Sequence, residues 1–240
     1  TLENYKQIMY CNTFDAVLNF DDEKQLTRHA DFLAQLSVET QSTVSEEQVT
    51  EHFVQLDDFI ETLFYQFGTE FSPLIAQMNA QQQAELMENL TDKNQDYYED
   101  SVLIGEVESN KKSRERVQDF LDDWLEDLTP NQVQMIQQWS TDIHWLAPGF
   151  YENRQAWQAG LKKRFAENNL DNAIQIEAMF QDRRQFWRDE LKQKFAHNKR
   201  VTAQFISQLI NGLDSQQKQS LVKNLKQYEA DFRLLASQTN

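Results

Sequence analysis

Apolar side chains recur along this chain three or four residues apart almost from end to end. From Ser45 the series Val49, Phe53, Leu56, Phe59, Ile60, Leu63, Phe64, Phe67 forms one unbroken stripe, the spacing of a helix that buries one face. Gly68 is read as closing that helix, with a short helical segment around Pro73 to Gln77 after it. Upstream, residues 3 to 19 (inner face Phe14, Val17, Leu18) and 22 to 36 (Leu26, Phe32, Leu33, Leu36) read as two further helices. Downstream, an Asn79-capped helix runs toward Tyr98, and Val117, Phe120, Leu121, Trp124, Leu125, Leu128 make another clean stripe. Pro148-Gly149 is read as a turn, followed by a helix from about 150 to 168. A helix behind Asp171 is expected to run through Ile174, Ile176, Met179, Phe180, Phe186, Trp187, Leu191 and Phe195. Two more carry Val201, Phe205, Ile206, Leu209, Ile210 and then Leu221, Val222, Leu225, Tyr228, Phe232, Leu235.

Where these stripes begin, one local motif repeats. Leu128-Thr129-Pro130-Asn131-Gln132 pairs a capping hydroxyl with a glutamine three residues on. The hydroxyl accepts from the Gln132 N–H, and the Gln132 side chain reaches back to the Thr129 N–H. Proline then falls where its missing N–H costs nothing. Val44-Ser45-Glu46-Glu47-Gln48, Met78-Asn79-Ala80-Gln81-Gln82 and Leu213-Asp214-Ser215-Gln216-Gln217 repeat the arrangement. Their starts are unevenly spaced, so no fixed-period solenoid follows.

With 5 Gly and 3 Pro in 240 residues, the chain is poor in the residues that punctuate strands, and it is rich in helix formers. The expected fold is all-α, with antiparallel helical hairpins packed as an elongated bundle of about nine or ten helices. Residues 100 to 112, with Gly105 and a Ser-Asn-Lys end, read as a mobile connection. They divide an acidic N-terminal helical region, 1–104, from a Trp-rich C-terminal one, 111–240. One continuous domain is the other arrangement the pattern allows.

Charge sharpens that division. The net charge is −16. Residues 1 to 110 carry 4 Lys and Arg against 22 Asp and Glu, whereas residues 111 to 240 carry 19 against 17. Such acidity repels phosphates, so no nucleic-acid partner is expected. It is read first as a solvated face and second as a docking surface for a basic partner. The basic clusters, Lys162, Lys163, Arg164 and Arg183, Arg184, Arg188, belong to the second half. A single cysteine, Cys11, excludes an internal disulfide framework. No apolar run is long enough to cross a bilayer.

Catalytic constellations are missing from the pattern. His29, His52, His144 and His197 include no pair one turn apart on a helix, so no metal or other cofactor is expected. His52 and His144 are read as partly packed aromatics. Adjacent carboxylates such as Asp57-Asp58 and Asp122-Asp123 diverge on a helix and suit a solvated face. The five glycines build no phosphate-cradling loop. All five tryptophans, at 124, 139, 145, 157 and 187, fall in the second half. Their spacing suits core packing, and the functional alternative is an aromatic groove for a partner's apolar segment. The candidate binding residues are Trp124, Trp139, Arg154, Trp157 and Trp187, with Arg154 and Trp157 one turn apart as a possible cation–π pair.

"DFLDDWLEDLTPNQVQMIQQWS" (119 to 140), "ENRQAWQAGL" (152 to 161) and "NGLDSQQKQSLVKNLKQYEADFRLLAS" (211 to 237) resemble an uncharacterised family of proteobacterial lipoproteins, a domain of unknown function. The matching positions are Trp124, Leu125, Leu128, Thr129, Gln132, Trp139, Ser140, Arg154, Trp157, Gln158, Asp231 and Leu234. The resemblance covers about residues 26 to 237. A more distant likeness, resting on the caps alone, is to periplasmic chaperones with Leu-Thr-x-x-Gln repeats. Both imply residence in the bacterial envelope and a non-enzymatic, contact-making role; the expected location is the periplasm, with the lipoprotein resemblance adding an anchor to the outer membrane. Tyr10-Cys11 lacks the small residues of a lipobox, so any lipid anchor is expected upstream of Thr1.

The expectation is a non-enzymatic binding or scaffolding protein, chaperone-like toward exported proteins, with an envelope protein or unfolded exported chain as partner. The competing reading is a carrier of a small apolar ligand or lipid, with Phe59, Phe64 and the tryptophans lining a cavity between helices.

Overall fold

The computed structural model describes residues 23–167 and 170–238. The expected helix over 3–19 and Cys11 lie outside the described residues. Those residues form nine α-helices and one π-helical turn, with no strand among them. In chain order they are α1 (Glu23–Glu39), α2 (Glu46–Ala76), α3 (Ala80–Tyr97), the π turn (Tyr98–Val102), α4 (Gly105–Leu125), α5 (Pro130–Asp142), α6 (Ala147–Glu167), α7 (Asn172–Gln181), α8 (Asp189–Asn211) and α9 (Ser215–Gln238). The chain is an all-α helical bundle.

All four expected helix entrances carry their capping boxes. Gln48 N–H reaches Ser45 Oγ at 3.2 Å while Ser45 N–H reaches Gln48 Oε1 at 2.9 Å. Asn79 with Gln82 and Thr129 with Gln132 repeat the exchange. Asp214 accepts from Gln217 N–H at 2.9 Å and returns its own N–H to Gln217 Oε1 at 3.3 Å. Each box satisfies donors that the first helical turn would otherwise leave open, worth about 1 kcal/mol apiece.

Two compact units emerge, each drawing on residues before and after the 100–112 stretch. One contains residues 60–103 and 147–188. Its core is Leu161, Ile176, Met179 and Phe180, covered by Phe64, Phe67, Leu86, Leu90 and Trp157. The other contains residues 23–59, 104–146 and 189–238. Here α1 packs along α9, and Leu121, Leu125, Ile136, Phe205, Leu209 and Leu213 form the principal core. A satellite cluster of Val44, Val49 and Ala203 lies at the start of α2. Asn211 locks that corner by accepting from Val44 N–H and donating to Val44 O, both at 2.9 Å.

Several expected boundaries move. Gly68 does not end its helix, since α2 continues through it and through Pro73 to Ala76. A Cβ on Gly68 would sit 2.9 Å from Phe180 Cβ and 3.3 Å from the Glu177 carbonyl oxygen. The glycine therefore serves close helix approach rather than termination. Pro73 is tolerated one turn from the end, where the chain already tightens through Gln77 N–H to Leu74 O and Met78 N–H to Ile75 O.

The stretch expected to be a mobile connection, 100 to 112, is helical apart from Leu103-Ile104. Leu103 N–H closes the π turn on Tyr98 O at 2.7 Å, and Gly105, at φ +79°, opens α4. Pro148 and Gly149 lie in the first turn of α6 instead of forming a separate turn, consistent with proline's tolerance there. The single helix expected from Asp171 through Phe195 is two. Gln185 Nε2 donates to the Ala178 and Asp182 carbonyls at 3.3 and 2.9 Å, capping the end of α7 before α8 begins at Asp189.

One joint carries backbone strain. Glu126, after α4, takes φ 69°, ψ −119°, a region that L side chains avoid. The first turns of α9 hold it there. Gln216 Nε2 and Ser220 Oγ donate to its carboxylate at 2.7 and 2.6 Å, and Gln217 Nε2 donates to the next carbonyl, Asp127 O, at 2.9 Å. The hydrogen bonds from Ser220 and Gln216 hold the Glu126 carboxyl below the usual range.

Candidate functional site

Four of the tryptophans pack on or into the cores: Trp124, Trp139 and Trp157 are partly buried against them, and Trp187 is buried. Trp124 stacks on Tyr228 with ring centroids 5.4 Å apart and planes 2° from parallel. Trp139 lies against Phe205, and its indole N–H donates to Thr202 Oγ1 at 3.0 Å. These two belong to the unit that contains 104–146, whereas Arg154, Trp157 and Trp187 belong to the one that contains 147–188. Trp157 meets Phe180 edge-on at 5.3 Å and donates to the Met179 carbonyl at 3.3 Å. Trp187 is buried against Phe150 and under Arg184. The cation–π partner found for Arg154 is Tyr97, at 5.1 Å. Of the two phenylalanines considered for an apolar cavity, Phe59 packs with His29 and Phe32, and Phe64 lies beneath Arg183.

Arg154 leads instead to a cleft that sequence reasoning missed. Helices α3 and α6 run antiparallel, with Tyr98 opposite Tyr151 (ring centroids 5.1 Å) and Asn94 opposite Gln158. Between them opens a cleft of about 310 Å³, at the small end of ligand-binding cavities. From α3 it is lined by Met87, Thr91, Asn94 and Gln95, and from α6 by Tyr151, Gln155, Gln158, Ala159 and Lys162. The two sets share the spacing i, i+4, i+7, i+8, one face of each helix. Where an ordinary helix pair buries leucines, this one presents four carboxamides.

Its floor is a hydrogen-bond chain that runs from Arg154 through Asn94 and Gln158 to Leu90 O. Asn94 and Gln158, 6% and 9% exposed, are joined by Asn94 Nδ2 donating to Gln158 Oε1 at 2.6 Å. Gln158 Nε2 donates to Leu90 O at 3.0 Å, and Arg154 Nε donates to Asn94 Oδ1 at 2.9 Å. Burial is thus compensated by partners, as buried amides require. At the rim, Tyr151, Gln155 and Lys162 offer side-chain polar groups with no hydrogen-bond or ion-pair partner among the described residues. Polar residues recurring at the inner positions of otherwise ordinary helices were the signal that would have located the site. Arg154 and Gln158 had been singled out, but for the tryptophan beside them.

Other candidates resolve into local structure. Within the basic clusters, Lys163 and Arg164 pair with Glu167 and Arg188 pairs with Glu152. His52 is buried against Phe32 and bonded to Glu39 at 2.7 Å. His144 is exposed, and its ring lies 4.2 Å from His197. Both nitrogens of His197 are engaged, Nε2 with Asp142 O and Nδ1 with Arg200. His29 sits between Phe59 and Phe232 with Nδ1 2.6 Å from Gln25 O, and burial lowers its pKa below 6.5. Among the described residues no group of three or more His, Cys, Asp or Glu is arranged to hold a metal ion, and no helix is long and apolar enough to cross a membrane.

A family model described as a family of unknown function, DUF6279, matches residues 2–192. The match begins upstream of the resemblance seen in the motifs and ends near the start of α8. No curated protein and no solved structure matches the chain.

Proposed function

The chain belongs to this DUF6279 family of unknown function, and on that premise we propose that it is a non-enzymatic binding or scaffolding protein of the bacterial cell envelope, chaperone-like toward exported proteins. The contact site in this reading is the carboxamide-lined cleft between α3 and α6. One observation carries it: Tyr151, Gln155 and Lys162 present polar groups without a partner among the described residues, above a floor whose amides are fixed by hydrogen bonds to one another and to Leu90 O. A floor already held by its own hydrogen bonds is a surface organised before its ligand arrives, which lowers the ordering cost of binding. Carboxamides both donate and accept, so they suit the peptide groups of an unfolded chain better than an apolar ligand or lipid. Periplasmic residence and a lipid anchor to the outer membrane belong to the same reading and rest on the motif resemblance.

Light scattering of a denatured exported protein tests the role. The native chain is expected to delay aggregation, and Ala159→Trp, which fills the cleft from an exposed position, is expected to lose that effect while keeping the same thermal unfolding. A native chain that protects nothing, or an Ala159→Trp variant that protects equally, contradicts the proposal.

A further inference from the structure

We infer that the cleft between α3 and α6 receives the C-terminal end of an extended peptide, with the terminal carboxylate on Lys162 and the preceding peptide groups on Gln155 and the carboxamide floor. This rests on the binding role proposed above and names its ligand class.

The groups without a partner among the described residues lie along one face of α6. At 1.5 Å per residue, Tyr151 and Lys162 are separated by about 16 Å along the helix axis. An extended strand of about five residues spans that length. Gln155 stands between them, so its amide meets the N–H and C=O of a peptide unit together, which a hydroxyl does less well. The floor has capacity left: Asn94 Nδ2 and Gln158 Nε2 each use one hydrogen, toward Gln158 Oε1 and Leu90 O, and an amide nitrogen carries two.

Charge selects the end of the chain. Lys162 is the one cation among the lining residues, and among the described residues it has no ion-pair partner. Across the cleft, α3 and the π turn carry Glu85, Glu88, Asp92, Asp96, Glu99 and Asp100 against Lys93 alone. That acidity, carried outside the lining itself, opposes a polyanion, whereas a single carboxylate meets the one lysine of the lining. A single carboxylate adjoining peptide groups is what a free C-terminus offers. A charge-assisted hydrogen bond is stronger than a neutral one, so the carboxylate separates the acid from its amide.

Calorimetric titration of the full chain with penta-alanine, and with the same peptide ending in a carboxamide, tests this. The acid is expected to bind at least about tenfold more tightly than the amide. Lys162→Gln, at an exposed position, is expected to abolish that preference, bringing the acid's affinity to within about twofold of the amide's on the same variant. Equal binding of acid and amide overturns the assignment. So does a preference that survives Lys162→Gln, the absence of binding heat for both peptides, or tighter binding of a neutral disaccharide. The two proposals fail separately. If Ala159→Trp abolishes protection of a client while acid and amide bind alike, the binding role stands and the carboxylate assignment falls. If the acid is preferred while Ala159→Trp still protects, the assignment stands and the client role falls.

Discussion

The side chains of Gln132 and Gln217 face each other as a reciprocal amide pair, each nitrogen 2.9 Å from the other's oxygen. Each is also the glutamine of a capping box, so one buried pair, 2% and 3% exposed, joins the first turns of α5 and α9. Gln132→Leu leaves Thr129 N–H and the Gln217 amide short of a partner and is expected to cost about 1–3 kcal/mol. Gln217→Leu is expected to cost a similar amount. The double replacement should cost less than the sum of the singles by about 0.5–3 kcal/mol, the coupling of residues in one network. Urea unfolding of the three variants measures it, and strict additivity would show that the pair is incidental.

Gly68→Ala separates helix propensity from packing. In a free helix the change stabilises by about 1 kcal/mol. At Gly68 the new methyl meets Phe180 Cβ and the Glu177 carbonyl, neither of them the far end of a flexible side chain. A net destabilisation of about 1–3 kcal/mol is expected from overpacking, read as a lowered thermal midpoint. A raised midpoint would contradict the close approach of α2 and α7.

Burial between Phe59 and Phe232 makes His29 harder to protonate in the fold. The unfolded chain takes up that proton as pH falls through about 6.5, its ordinary value, whereas the folded chain resists. The contribution of His29 is therefore complete above 6.5, declines as pH falls toward the folded value, and is flat below it. His29→Phe is expected to flatten the dependence of stability on pH across that window, as measured by urea midpoints between pH 5 and 8. An unchanged slope would assign the dependence to other groups.

These outcomes also mark what the sequence makes legible. The boxes at Ser45, Asn79, Thr129 and Asp214 can be read because capper and glutamine are three residues apart and need nothing else. The partner of Gln132 lies 85 residues away, and no local pattern announces it. Gly68 misleads for the same reason, since its constraint comes from Phe180 on another helix. The helix of 171 to 195 is broken by Gln185 returning to the carbonyls of α7, which apolar spacing cannot register. The cleft is half legible: Asn94 and Gln158 interrupt apolar stripes at inner positions, but that they share one space with the exposed Gln155 follows only from the antiparallel pairing of α3 and α6.

Two arginines set the scale of polar contacts in the cleft's unit. Arg188 pairs with Glu152 at 2.9 Å with both side chains well exposed, and Arg188→Ala is expected to cost at most about 1 kcal/mol. Arg154 donates to the buried Asn94 and covers Tyr97. Arg154→Ala leaves Asn94 Oδ1 without that donor and should cost about 1–3 kcal/mol. Equal losses for the two variants, compared by chemical denaturation, would show that the floor network does not hold the cleft in place.

Side-chain amide resonances of Asn94, Gln155 and Gln158, followed by nuclear magnetic resonance while an unfolded exported protein is added, test the central claim most directly. The account predicts saturable shifts at those three residues and none at Gln132 and Gln217, whose amides are buried in the other unit. Shifts elsewhere, with the cleft amides unmoved, would contradict it.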